Sequence, residues 1–198
     1  MNQVWFRPLV WMDYRLGILL TVVIPFVLLI WTLFKRQEAM QQLSIIYWRV
    51  ASLLLITVYL LIPNWGIGFF AALAARILIP ISLWFWVDLN EEIRDTPESP
   101  LKLLFTSWRW ATTFYCLLGA IANAIFIPCG LSENTLATPF CQVWLEAPLA
   151  YRALLHPKPG NEGVLGFMGA VGLIVYVIYL AYFVLIRLGK QGRSALEQ

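Results

Sequence analysis

Apolar residues in this chain gather into five stretches, residues 16–34, 45–62, 66–87, 107–127 and 164–188, separated by polar punctuation. A helix needs about 20 mostly apolar residues to cross the hydrocarbon of a bilayer, and each stretch approaches or reaches that length. No segment alternates with the two-residue period of a barrel strand. The apolar character runs all round each helix, as in a buried or membrane-spanning helix and unlike one lying on a surface. The pattern predicts an all-α fold, a helical transmembrane bundle of about five spans. It forms a single membrane domain over residues 1–198, with an outer loop at 128–163.

The punctuation supplies the helix ends. Pro25 falls inside the first stretch and predicts a kink. Pro63-Asn64-Trp65-Gly66 leaves room only for a tight hairpin between antiparallel helices. Ser99-Pro100 reads as an N-cap followed by proline at the first helical position, so the fourth helix is expected to begin before its apolar stretch. Pro128 and Gly130 stop it. In the outer loop, Glu146-Ala147-Pro148 opens a short helix running to about Leu155. Residues 1–15 mix Trp5, Phe6, Trp11 and Tyr14 with Arg7 and Arg15. They have no apolar core of the kind a cleavable signal peptide carries, and they suit the headgroup zone.

Composition agrees with this class: of 198 residues, 61% are hydrophobic and only 13% charged, against about 25% charged in soluble domains. Mean hydropathy is +0.74. An odd number of spans puts the termini on opposite sides. One side then holds Lys35, Arg36, Arg49, Arg94, Lys102, Arg109, Arg187, Lys190 and Arg193, and the other only Arg7, Arg15, Arg152 and Lys158. The excess of positive charge predicts a cytoplasmic C-terminus and an N-terminus outside. Cys129 and Cys141 both fall on that outer side, where a disulfide would persist. Spacing alone leaves the bonded and free states open. Trp31, Trp48, Trp84, Trp86, Trp108 and Trp110 lie toward the cytoplasmic ends of their stretches, as an aromatic belt does.

Arg76 is the outstanding single residue. It lies near the middle of the third stretch, with no acidic side chain inside any of the five, and a central arginine costs ~2.5–3.5 kcal/mol on insertion scales. Its guanidinium is expected to turn to protein, water or a polar ligand. Asn123 and Tyr59 occupy matching depths on the fourth and second stretches, so a buried Arg76–Asn123–Tyr59 cluster is the candidate polar centre. The competing reading is a scaffold arginine bonding backbone carbonyls or reaching phosphates. Small residues mark a candidate packing face: Gly119 in the fourth stretch, and Gly163, Gly166, Gly169 and Gly172 stepping every third residue into the fifth. Close helix contact is its favoured explanation; a flat face for a pigment, quinone or lipid tail is the sharper one.

Other chemistry is thin. Asp88, Glu91, Glu92 and Asp95 are spaced to share one helical face, and clustered carboxylates hold magnesium in lipid-modifying enzymes. Such enzymes need a second acidic motif, so a solvated loop face is favoured here. His156 is the single histidine and is expected in a solvent-facing loop; it leaves no bis-histidine haem or multi-histidine metal site within the chain. No phosphate-binding loop, nucleophile elbow or Cys-x-x-Cys pair is present. Nor is there a basic, aromatic surface for nucleic acid. No cofactor is required, although a pigment or lipid remains compatible.

Near the N-terminus the chain reads Trp5-Phe6-Arg7-Pro8-Leu9-Val10-Trp11 and Asp13-Tyr14-Arg15-Leu16, and later Ile46-Tyr47-Trp48-Arg49-Val50-Ala51-Ser52-Leu53-Leu54. With the five-stretch layout, these strings resemble a family of uncharacterised cyanobacterial polytopic membrane proteins, a domain of unknown function. The resemblance implies a thylakoid or plasma membrane of a cyanobacterium and carries no active site. The expected function is that of a non-enzymatic membrane protein. It would act through lipid and lateral helix contacts as an accessory subunit or assembly factor of a larger membrane complex, photosynthetic ones among them. The alternative is a small transporter or channel component centred on Arg76 and Asn123, which would have to homo-oligomerise to enclose a pathway.

Overall fold

The computed structural model describes residues 4–158 and 160–195, the side chains of Lys190 and Gln191 excepted. Pro159 of the outer loop and the side chain of Lys190, which entered the charge count, therefore lie outside the described residues. Every regular element among the described residues is helical. The long ones are α1 (Arg7–Lys35), α2 (Glu38–Leu61), α3 (Ile67–Trp84), α4 (Val87–Asp95), α5 (Pro100–Ile125), α6 (Glu146–Leu155) and α7 (Glu162–Arg187). Among them α1, α2, α3 and α7 are long and apolar enough to cross a membrane, which marks the chain as a membrane protein. The 26-residue α5 contains the fourth apolar stretch up to Ile125 but falls outside that set by composition.

Helices α1, α2, α3 and α5 close into a ring, each packed on the next, and α7 lies outside the ring against α2. The α2–α3 hairpin turns at Pro63–Gly66, where Asn64 takes a left-handed conformation (φ 63°). That residue type tolerates it because its short polar side chain bonds locally. Ser99 caps α5 as its sequence requires, its hydroxyl accepting from the Lys102 amide at 3.2 Å.

Pro25 does not break α1. A π-turn over Leu19–Val23 precedes it, and the carbonyls released there find side-chain donors on neighbouring helices. Proline has no N–H to give the carbonyl four residues back, which is Thr21, and the Tyr47 hydroxyl donates to that oxygen at 2.8 Å. The indole N–H of Trp108 donates to Leu20 O at 2.8 Å. Tyr47 and Trp108 thereby lock α2 and α5 onto the middle of α1. Trp86 and Trp108 are buried in the core with Leu43, Tyr47, Leu83 and Phe105 rather than standing in an interfacial belt. Their rings fill the ring of helices, which the belt reading did not anticipate.

A second cluster seals the other end. Here Val10, Leu61, Phe69 and Phe126 meet Cys129, Cys141, Trp144 and Leu145, so the 128–145 segment forms a cap over the start of α1. Cys129 and Cys141 are disulfide-bonded, Cα atoms 5.8 Å apart. Glu146 pins the cap: its carboxylate accepts from Arg7 Nε and from the Trp11 indole, both at 2.8 Å. The Tyr14 hydroxyl donates to Trp144 O at 2.8 Å.

The glycine steps of α7 account for its seat on α2. A Cβ at Gly169 would lie 3.1 Å from backbone atoms of Tyr59 and Leu60, one at Gly166 2.5 Å from the Pro63 ring, and one at Gly172 3.2 Å from Ile56. Gly163 meets nothing within 4 Å and does not belong to the seam, and Gly119 serves another purpose described below. Gly169→Leu is expected to lift α7 off α2 and cost about 1–3 kcal/mol, the usual penalty for overpacking. Gly163→Leu should be silent. Thermal unfolding of the two variants in detergent distinguishes them, and equal melting points would refute the seam.

Candidate functional site

Arg76 lies on the inner side of α3 between the two apolar clusters, its residue 7% exposed. It is not without a counterion. Its Nη2 forms an ion pair and hydrogen bond with Asp13 Oδ2 of α1. The expectation that no carboxylate reaches the spans is corrected here. α1 starts at Arg7, well before its apolar stretch, and carries Asp13 down the helix to face α3. A guanidinium in low dielectric needs such a partner, since leaving it unpaired costs far more than pairing it.

Tyr115 of α5 completes the centre. Its hydroxyl donates to the Asp13 carbonyl at 3.0 Å, and its ring centroid lies 5.2 Å from the Arg76 guanidinium carbon. Gly119, one turn further along α5, makes the space: a Cβ there would fall 1.3 Å from Arg76 Nη1. Gly17 of α1 does the same for Tyr115, whose hydroxyl would lie 2.9 Å from an added Cβ. Arg76 Nη1 is buried and has no hydrogen-bond partner among the described residues.

The proposed companions of Arg76 are placed differently. Asn123 is buried on α5, one turn beyond Gly119, but makes no hydrogen bond to Arg76. Tyr59 points away, because its side of α2 faces α7 and α6. Its ring meets Tyr151 and His156 with centroids 6.1 and 5.8 Å apart. The Tyr151 phenol is pushed up to about 12, chiefly by burial and then by its hydrogen bond with Tyr59. His156 is accordingly half-buried beside two tyrosines rather than solvent-facing.

Asp13 was legible in one respect. Arg7-Pro8 is a helix start with proline in the first turn, and a helix begun there puts Val10, Asp13 and Gly17 on one face. Reading residues 1–15 by composition alone hid that face.

A second arginine, Arg109 of α5, is also buried and serves as a staple. It donates to Leu83 O at 2.9 Å and to Asn90 Oδ1, with its guanidinium 4.1 Å from the Trp84 ring centroid. It holds the end of α3 and the start of α4 to α5. The acidic run lies on α4, a regular helix over Val87–Asp95, whose period puts Asp88, Glu91, Glu92 and Asp95 on one face. Asp88 accepts from the Ser194 hydroxyl at 2.9 Å and from the Ala195 amide at 2.6 Å, while Glu91 and Glu92 are exposed. Among the described residues no group of three or more His, Cys, Asp or Glu side chains is placed to hold a metal ion.

A sizeable open space lies elsewhere. A cavity of about 620 Å³ separates α3 from α7, floored by α2. Ile46, Val50, Leu78, Ile81, Leu180 and Phe183 line its depth with Arg49 beside Val50, and Glu38, Gln41, Gln42 and Arg187 stand toward one end. A smaller cleft of about 210 Å³ shares Leu78, Tyr176 and Leu180 with it and continues past Leu53, Ala74 and Leu173 to Phe70 and Ile67.

The family described as a protein of unknown function, DUF3177, covers residues 7–196. The chain belongs to that family. No curated protein and no solved structure matches it. The matched region takes in both ends of the ring, so Asp13, Arg76, the disulfide and the α3–α7 cleft all lie within the family domain.

Proposed function

We propose that this family member crosses the bilayer five times, with its N-terminus outside and its C-terminus in the cytoplasm. In this reading it acts without enzymatic chemistry, by lateral contact, as an accessory subunit or assembly factor of a larger membrane complex. The helix in question for the span count is α5. Phe114, Leu117, Leu118, Ile121 and Ile125 are exposed on its outer side, whereas Arg109 and Asn123 turn into the ring. Its polar residues lower its mean hydropathy, but Arg109, Thr112, Thr113 and Asn123 among them are interior, and apolar side chains dominate its outward surface. The charge count and the outer-side disulfide support the same orientation. Reporter fusions at the two ends are expected to fall in opposite compartments; the same compartment for both would remove this topology.

The observation that carries the lateral-contact reading is α7. Only 6% of its apolar window is buried, against 22%, 39% and 50% in the other three candidate spans, and it touches the ring essentially through α2. Helix association in lipid rests on van der Waals packing, and a helix held by one seam offers the rest of its surface to a neighbouring membrane protein. The resemblance noted in the sequence makes a cyanobacterial thylakoid or plasma membrane the proposed setting. The transporter alternative draws no support from Arg76, which Asp13 and Tyr115 enclose. Native gels of mild-detergent extracts are expected to show co-migration with a large complex, lost when exposed α7 residues such as Phe167 and Val171 become charged. Migration as a free monomer or homo-oligomer would overturn the reading.

A further inference from the structure

We propose that the cleft between α3 and α7 binds an anionic membrane lipid. Its phosphate sits at Arg49, between the polar mouth and the apolar extension, and an acyl chain lies along α2 toward Phe70.

The cleft is amphiphilic along its length. The 620 Å³ cavity carries polar side chains at one end, and the 210 Å³ extension that shares Leu78, Tyr176 and Leu180 with it is apolar throughout. Along α3 the two run from Phe85 back to Ile67, about 27 Å at the helical rise. That approaches the ~30 Å thickness of a hydrocarbon core. A soluble ligand would leave most of this trough empty; a lipid chain fills it.

Arg49 selects the headgroup. It is the single charged residue between Ser44 and Leu61 of α2, so it lies within an apolar stretch, where an arginine is costly unless something compensates it. Two other arginines within apolar stretches, both buried, are compensated: Arg76 by Asp13, Arg109 by Leu83 O and Asn90. Arg49 is exposed in the cleft, and its one hydrogen bond among the described residues is to the Tyr179 hydroxyl at 3.5 Å. No carboxylate of the described residues forms an ion pair with it. Glu38, the acidic residue at the mouth, begins α2 and stands about 16 Å away along the helix axis, while Arg187 lines the same mouth. A lipid phosphate with no cation of its own fits this arrangement. A choline headgroup brings a further positive charge into a cavity whose charged lining is two arginines, Arg49 and Arg187, and one carboxylate, Glu38.

The site is independent of the lateral-contact reading, since lipid preference and co-migration fail separately. The test uses the purified full-length chain, delipidated in mild detergent and titrated with phosphatidylglycerol or phosphatidylcholine of matched chains under native mass spectrometry. The native chain is expected to bind one phosphatidylglycerol about tenfold more tightly than phosphatidylcholine, and Arg49→Gln to reduce that ratio to about twofold or less. Arg49→Lys keeps the charge and should keep the preference. Ile81→Trp, placed on an exposed wall of the cleft, should abolish tight binding of both lipids without touching the charged end. Equal affinities in the native chain would overturn the proposal. So would an undiminished ratio in Arg49→Gln, undisturbed binding in Ile81→Trp, or a dimer that occupies the cleft and excludes lipid.

Discussion

Replacing Asp13 with alanine is expected to destabilise the protein by about 3–5 kcal/mol, because it strands Arg76 in the interior without a counter-charge. Arg76 is 9% exposed at its side chain and Asp13 21%, so little solvent is available to take over. The same ledger predicts an asymmetry. Replacing both partners together, Asp13→Ala with Arg76→Leu, should recover most of the loss, since exchanging a buried pair for apolar side chains is often neutral or stabilising. Gly119→Leu tests the centre from the opposite side: its side chain would occupy the volume that the guanidinium now fills. Thermal unfolding in detergent reads all three. If Asp13→Ala melts with the native protein, the ion pair contributes nothing to the fold and the centre must be reinterpreted.

Loss of the Cys129–Cys141 bond should have the next largest effect, about 2–4 kcal/mol for a loop of this size. The bond joins positions 12 apart in sequence; the segment it closes supplies Leu136 to the outer cluster and leads directly into Val143, Trp144 and Leu145 of the same cluster. In a Cys129→Ala/Cys141→Ala variant the cap should loosen from α1, weakening the Glu146 contacts with Arg7 and Trp11. Reductant should lower the melting temperature of the native chain to that of the variant and leave the variant unchanged. A native melting point indifferent to reductant would show that cap packing alone holds the segment.

Several features were legible from residue order because their causes are local. Ser99-Pro100 specifies a helix start through its own hydroxyl and ring. Pro63–Gly66 specifies a hairpin because no longer connection is available. Glu146-Ala147-Pro148 opens a helix that ends at Leu155, as its pattern indicates. Other features depended on partners distant in sequence. Asp13 and Arg76 are 63 positions apart, and neither position names the other. Tyr59 and Asn123 were grouped with Arg76 by depth alone, and depth leaves the rotation of each helix undetermined. That rotation turned Tyr59 toward α7 and gave its expected place to Tyr115. Arg49 and Arg109 both entered the charge count as orienting residues, yet one faces a cleft and the other is buried under Trp84.

Residue order by itself determined that this chain is helical and rich in membrane-length apolar segments, and where its turns and caps fall. These follow from backbone satisfaction in lipid and from short-range proline, glycine and serine chemistry. Tertiary structure alone decided which arginine is paired, which glycines form a seam, that a proline in α1 is tolerated by a tyrosine on α2, and that α3 and α7 stand apart over α2. Each of these depends on the rotation and lateral order of helices, which long-range packing sets and an apolar sequence pattern, uniform around the helix, does not encode.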